Sequence, residues 1–562
     1  MSSEAATCDV LVIGSGAGGF AAAVSAKAHG LEVILTEKHE HFGGTSAWSG
    51  GAVWIPGNSF AKAAGIKETV DQARIYLRHE SGNYFDAARV EAYLTYGSDM
   101  VDFFHQKTAV KWLPDFPFAD YHPDVEGGVD GGRSLWAEPY DGKKLGKWFS
   151  KLRPPMSQYT LWGMAIGSGM DYRHFLRMKK SPKSALHVLK RISHHFFDVA
   201  LHGRGTTLFN GNALIARLAK SALDLGIPIW LKAPATSLIV EDGRVVGAVI
   251  NREGKSVNVR ARRGVVLACG GFPHDTERVR KTFHPVQSYT GAPKENTGDG
   301  IRMAESVGAA LKTDYMSTSY SAPLSKIRRK DGTIDAFPHF ADRGKPGIIA
   351  VADDGRRFTN ESNSYHDFVQ DMIKNGLDGE TKSAFFVCDH PTIRSYGLGY
   401  AKPWPLPLAP HLKSGYIVRG KTIEELAERA GIDPVGLRAT VDSFNAHARY
   451  GFDPDFHRGS NAYDRFQGDL THTPNPSLHP IEKGPFYALK VYPGYLGTLI
   501  GLSTNEHAEV LRDDGSVVPG LYATGNDMAS VFGGSCPGGG ITVGPGMVFG
   551  YLIGHRLGNA GA

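Results

Sequence analysis

The chain has 562 residues, 41% hydrophobic and 21% charged, with a formal net charge of +5. That length exceeds one ordinary core and predicts roughly two to four domains of globular composition, and the charge is too small to point to nucleic acid. Four cysteines, Cys8, Cys269, Cys388 and Cys536, lie far apart in neither metal-ligand nor disulfide spacing, so no metal site and a reducing, cytoplasmic compartment are expected.

Met1-Ser2-Ser3-Glu4 is not a basic stretch followed by an apolar one, so no leader is expected. No run approaches the roughly 18 apolar residues of a membrane span. Asp9–Gly14 (DVLVIG) predicts a strand, Ala17–His29 an Ala-rich helix and Leu31–Thr36 a second strand, together a β-α-β unit. From Lys143 to Arg204 there are 13 Lys and Arg against two Asp, a net +11 that leaves about −6 for the rest of the chain. Trp148, Phe149, Trp162, Phe175, Phe196 and Phe197 are interleaved with this charge. The pattern suits either a solvated basic insertion or contact with an anionic membrane surface.

Further on, Gly211–Leu225 predicts a helix, Ile227–Lys232 a strand, and Ala235–Ile250 a hairpin turning at Glu241-Asp242-Gly243. Gly264–Ala268 predicts another buried strand. From about Val279 to Glu482 loops lengthen, with helices at Ile423–Ala430 and Pro434–Tyr450. Strand and turn signals then return, and Gly540–Leu557 predicts a closing helix. The fold class read from this order is α/β: a Rossmann-like dinucleotide domain built from N- and C-terminal segments, with an inserted α+β domain. The boundaries are 1–278 (with the basic insertion 143–204), 279–483 for the inserted catalytic domain, and 484–562.

Gly14-Ser15-Gly16-Ala17-Gly18-Gly19 follows the first strand and opens the helix. Gly14 permits the tight turn, Gly16 lets backbone approach a pyrophosphate, and Gly19 lets helix and strand pack closely. The helix N-terminus then offers free N–H groups and a positive dipole to phosphate. Glu37 closes the second strand 18 residues after Gly19, where a carboxylate accepts from ribose hydroxyls.

Gly43-Gly44-Thr45-Ser46, Gly51 and the late Leu521–Asn526 segment resemble the flavoprotein family of fumarate reductases and succinate dehydrogenases. The resemblance implies FAD rather than NAD, with Gly44, Thr45, Ser46 and Gly51 along the pyrophosphate and flavin, Gly525 and Asn526 near the ribityl chain, and Gly540 and Thr542 also assigned to the cofactor. No His lies between Gly43 and Gly51, so FAD is expected to be held non-covalently.

Three further segments narrow the family. They are Asp120-Tyr121-His122-Pro123, Arg356-Arg357-Phe358-Thr359-Asn360-Glu361 leading to Ser364-Tyr365-His366, and Cys536-Pro537-Gly538-Gly539-Gly540. Together they resemble the FAD-dependent 3-ketosteroid dehydrogenases, especially the Δ1 type, over nearly the whole chain. The resemblance implies Tyr365 as base, Tyr121 as its assistant and the Gly540 N–H as a donor to the substrate ketone. The family places a tyrosine donor where this chain has Cys536. A thiol donates weakly, so Tyr320, Tyr492 and Tyr495 are alternatives for that hydrogen bond. His366 is read as structural or as a support behind the site, and Arg356 and Arg357 as pairing with carboxylates or closing the domain rather than binding substrate.

The chemistry fits these parts. A polarised carbonyl acidifies its α C–H, a tyrosine with a partner can take that proton, donors at the ketone stabilise enolate charge, and flavin accepts the β hydride. The implied activity is Δ1-dehydrogenation of a 3-ketosteroid. A Δ4-type ketosteroid or smaller cyclic ketone dehydrogenase, and a fumarate-type reductase of an unsaturated acid, are the alternatives. The implied partners are a small apolar ketone and an electron acceptor such as a quinone; the membrane reading of the basic segment would add peripheral attachment at the inner face of a membrane, and the solvated reading would not.

Overall fold

A computed structural model describes residues 4–559 apart from 115, 116, 286 and 288. β1 (Glu4–Ile13), α1 (Ala17–Ala28) and β2 (Val33–Thr36) form the β-α-β unit, with β1 and β2 parallel from Val10↔Val33 to Ile13↔Thr36. The apolar run of β1 is buried because strands lie on both sides of it and helices cover the sheet. Ile229–Trp230 extends the sheet beyond β2. Lys255–Leu267 lies parallel on the other side of β1, and Val517–Ala523 lies parallel beyond that. The N-terminal half of Lys255–Leu267 carries the hairpin Ala235–Glu241/Arg244–Arg252. Its turn falls at Asp242 and Gly243, both at positive φ (47° and 75°), as a two-residue primed turn requires.

The closing helix runs from Val543 to Asn559. It starts three residues later than the sequence suggests, because 536–542 is spent as a loop against the site. It packs on α1, and a Cβ on Gly550 would meet the Gly18 carbonyl oxygen at 2.5 Å. Small residues on both helices permit that approach. α1 is buried continuously from Ala17 to Ala26, between sheet and closing helix.

The second sheet is antiparallel at its centre. Its order is Ile334–Pro338, Ser319–Arg328, Phe486–Thr498, Ala384–Asp389, Ile348–Ala352. Alternate residues face two cores. Ile348, Ala350, Phe386 and Leu489 lie on one side, and Ile349, Val351, Phe385 and Ala488 on the other, the period of two that a strand buried on both faces dictates. The central strand Phe486–Thr498 belongs to this inserted unit, so we place the return to the first sheet after Thr498 rather than at 484.

The basic insertion is partly internal. Arg153 pairs with Glu295 at 2.9 Å, Arg191 donates to the Ala165 carbonyl at 2.7 Å, and Arg204 donates to the Leu152 carbonyl at 3.2 Å.

Candidate active site

An elongated cavity of about 1060 Å³, counting its open mouth, runs along the C-terminal ends of the parallel strands, where such sheets bind ligands. Gly14, Gly16, Ala17, Gly18, Gly19, Glu37, Gly44, Thr45, Ser46, Gly525, Asn526 and Thr542 line it. A Cβ on Gly14 would lie 2.1 Å from the Ala268 carbonyl oxygen, and one on Gly19 2.0 Å from that of Gly14. Gly16 by contrast has only the Ser46 hydroxyl, at 3.5 Å, which leaves its backbone free to meet a phosphate. The Glu37 carboxylate is held by the Ser15 hydroxyl at 2.5 Å and the His39 amide at 2.9 Å. A glycine cradle on a helix N-terminus with a fixed carboxylate at the far strand fits a dinucleotide.

Two of the glycines assigned to the cofactor are packed against backbone and are not among the residues lining this cavity. Gly51 packs on Asn210, where a Cβ would sit 2.3 Å from the carbonyl carbon, and Gly540, at φ +112°, packs on the Val53–Trp54 backbone. Neither lines the cavity. Close backbone packing demands glycine as strongly as a ligand does. Arg153, Glu295 and Asn296 line the cavity without any motif to announce them; Asn296 donates to the Thr45 hydroxyl at 2.8 Å.

The second part of the site is a cluster of phenols. Tyr365 is the first residue of the helix Tyr365–Lys374, whose N-cap Ser364 accepts from the Asp367 amide. The Tyr121 hydroxyl donates to the Tyr365 oxygen at 3.0 Å, and the Tyr320 hydroxyl touches the same oxygen from the other side. The rings of Tyr121 and Tyr320 lie 5.9 and 5.7 Å from that of Tyr365, both steeply inclined. Phe340 packs edge-on to Tyr365 at 5.0 Å, and Tyr463 lies 4.9 Å from Tyr121. Tyr121 and Tyr365, far apart in sequence, are thus in direct contact, and Cys536 is buried close to Tyr320 and Tyr365. Of the three alternative tyrosines, Tyr492 packs under the Lys326 ammonium at 3.9 Å and Tyr495 donates to the Pro273 carbonyl. Only Tyr320 reaches the cluster.

Burial raises the Tyr365 phenol, while hydrogen bonds from Tyr121 and Tyr320 and the Arg343 guanidinium oppose the rise. Burial, reinforced by Tyr365, holds Tyr121 and Tyr320 well above the ordinary phenol range. Tyr365 is therefore the member of the cluster whose anion is best supported. Arg343 is fully buried, with Nη1 on the Glu361 carbonyl at 2.6 Å and its centre 5.8 Å from the Phe368 ring.

Behind the phenols, His122 bridges Glu80 at 2.8 Å and Asp367 at 2.9 Å. Burial alone would lower its pKa, but the two carboxylates push it up to about 11. This bridge ties the residue after Tyr121 to the helix that presents Tyr365. His366 is buried and accepts from the Ser321 amide. Arg357 pairs with Glu361 and Asp453, both at 2.8 Å.

Residues 9–543 match the family model described as FAD binding domain. This chain belongs to that family. It is a FAD-dependent oxidoreductase, a two-part protein with an α/β FAD-binding fold and a capping unit. It is 40% identical to 4-oxocyclohex-2-ene-1-carboxylate 5-dehydrogenase of Sinomonas cyclohexanicum over 555 residues, covering 98% of this chain and 93% of that one. It is 38% identical to 3-oxosteroid 1-dehydrogenase of Mycobacterium tuberculosis over 561 residues, covering 97% of each. The crystal structure of 3-ketosteroid delta1-dehydrogenase from Sterolibacterium denitrificans, in complex with 1,4-androstadiene-3,17-dione, superimposes with a TM-score of 0.90 at 34% identity, covering 99% of this chain and 100% of that one.

Proposed function

We propose that this flavoprotein dehydrogenates a ring ketone, placing a carbon–carbon double bond next to the carbonyl, with a 3-ketosteroid Δ1-dehydrogenation as the principal reading. The observation that carries it is the convergence of Tyr121 and Tyr320 on the Tyr365 oxygen. Tyr365 takes the α proton. Tyr121 supports the resulting charge balance from behind, donating to the oxygen that acts as base. When bound, FAD supplies the acceptor for the hydride leaving the β carbon. The phenols sit among Phe118, Phe340, Tyr463 and Phe466, an aromatic wall suited to an apolar ring and to excluding water. No His stands in the Gly43–Gly51 stretch, which supports a non-covalent cofactor.

A smaller oxocyclohexane carboxylate is the second reading, favoured by the 40% identity to the Sinomonas enzyme. A fumarate-type reductase has less support: a tyrosine stands at 365, and Arg343 is fully buried with its guanidinium on the Glu361 carbonyl. Anaerobic mixing of the holoenzyme with saturated 3-ketosteroids, oxocyclohexane carboxylates and succinate tests these readings. Bleaching of the flavin by a ketone is expected. Bleaching by succinate alone would overturn the proposal.

We also propose that the basic insertion docks on an anionic membrane, on the inner face of the cell membrane, where an apolar ketone and a quinone acceptor concentrate. Among the described residues no helix is long and apolar enough to cross a membrane. The helix Pro182–His202 turns Ser184, His195 and Asp198 inward and leaves Leu186, Leu189 and Phe197 between 61% and 68% exposed. Lys183 and Lys190 flank this outward apolar stripe, the arrangement of an interfacial helix. Salt-sensitive co-sedimentation with phosphatidylglycerol vesicles is expected. Equal, negligible binding at low and high salt would leave the insertion a solvated surface.

A further inference from the structure

A substrate ketone needs a strong donor while its α proton leaves, because charge then develops on the carbonyl oxygen. The thiol at position 536 serves this poorly. Cys536 is 3% exposed, its pKa is pushed well above the ordinary thiol range by burial, and a thiol donates weakly. The phenols differ in the same respect. Tyr121 is only 4% exposed, its amide is bonded to the Pro537 carbonyl, and its hydroxyl is engaged by Tyr365. Tyr320 and Tyr365 are only partly buried.

Tyr320 is also aimed by the backbone. It lies on the strand Ser319–Arg328 of the capping sheet, where the pairing with Phe486–Thr498 shifts between Tyr320↔Gly497 and Ser321↔Tyr495. Such a bulge redirects a side chain. His366 fixes the far side of the bulge by accepting from the Ser321 amide at 3.3 Å and lying nearly parallel to the Tyr320 ring at 6.5 Å.

We propose that Tyr320 is the catalytic donor to the substrate ketone in this enzyme, supplied by the capping sheet in place of the residue at 536. The inference rests on the ketone-dehydrogenase reading with Tyr365 as base. Tyr320 stays protonated through neutral pH because burial raises its pKa, as a donor must. With substrate absent its hydroxyl rests on Tyr365, and a bound ketone takes that hydrogen bond in exchange.

The test uses the holoenzyme, whichever ketone bleaches its flavin, and the variants Tyr320→Phe, Cys536→Ala and Tyr365→Phe. Tyr320→Phe is expected to keep its FAD and to slow anaerobic bleaching about 10²–10³-fold at every pH, the usual effect of losing one such donor. Cys536→Ala is expected to stay within about threefold of the parent. A Tyr320→Phe enzyme within threefold of the parent, while Tyr365→Phe is inactive, would overturn this inference alone. An active Tyr365→Phe would instead overturn the reading beneath it. A rate that recovers fully at alkaline pH in Tyr320→Phe would also overturn the inference, since it would make Tyr320 only a support for the base. Replacing Tyr320 by 3-fluorotyrosine keeps the hydroxyl and the fold. Its ¹⁹F resonance should shift when the unsaturated product ketone binds, and an unchanged resonance with product bound would overturn the proposal.

Discussion

Replacing Tyr365 with phenylalanine removes one oxygen atom at the point where two other phenols meet. The change costs stability first. Tyr121 loses its acceptor and Tyr320 its hydrogen-bond partner in a largely buried cluster, and at about 0.5–1.5 kcal/mol per neutral hydrogen bond the loss is about 1–3 kcal/mol. For a chain of this size that lowers Tm by only about 1–2.5 °C, without unfolding it. The kinetic effect is larger. Loss of a general base costs roughly 10²–10⁴-fold, so flavin bleaching measured by anaerobic stopped flow should fall into that range. FAD content should be unchanged, because Tyr365 does not line the dinucleotide cavity. Retained bleaching within threefold of the parent, with the same ketone and full FAD, would refute the assignment of Tyr365 as base.

Glu37→Ala should yield protein depleted of FAD, because the carboxylate that closes the ribose end is lost; visible absorbance after gel filtration checks it. Because burial raises the Tyr365 pKa, its base form grows only toward alkaline pH. Rates of flavin bleaching should therefore climb from pH 6 to about 9 without an early plateau. Stability should move the opposite way through His122. Its folded pKa of about 11 lies above the unfolded value of about 6.5, so its contribution is complete below the unfolded value and fades as pH rises toward the folded one. A pH series of melting temperatures should show that decline, and His122→Gln should flatten it.

Much of the FAD-binding unit is legible in the sequence because its signals are local. DVLVIG, the glycine run and Glu37 fall within 29 residues, and each has a chemical reason to be where it is. The motifs around Tyr121 and Tyr365 were equally readable, although nothing in one-dimensional order says that they touch. Other features depend on contacts between distant segments. Phe486–Thr498 reads as a strand in either sheet, and only its partners Ser319–Arg328 and Ala384–Asp389 assign it to the second. Gly51 and Gly540 are read as cofactor glycines, yet a neighbouring backbone makes the same demand on Cα as a phosphate does. Tyr320 was one of three candidates for a missing hydrogen bond, and a bulge between two strands selects it. Arg343 carries no motif and acquires meaning only by folding against the helix that bears Tyr365.

The most direct test of the account is a single anaerobic turnover of the holoenzyme with a saturated ring ketone, unlabelled or deuterated at the β carbon, followed by mass spectrometry of the product. Bleaching of the flavin, loss of two hydrogens from the ketone, a double bond adjacent to the carbonyl, and slower bleaching with the deuterated substrate are expected. Flavin that stays oxidised with every ketone, while its reduced form is reoxidised by fumarate, would contradict the proposed dehydrogenation.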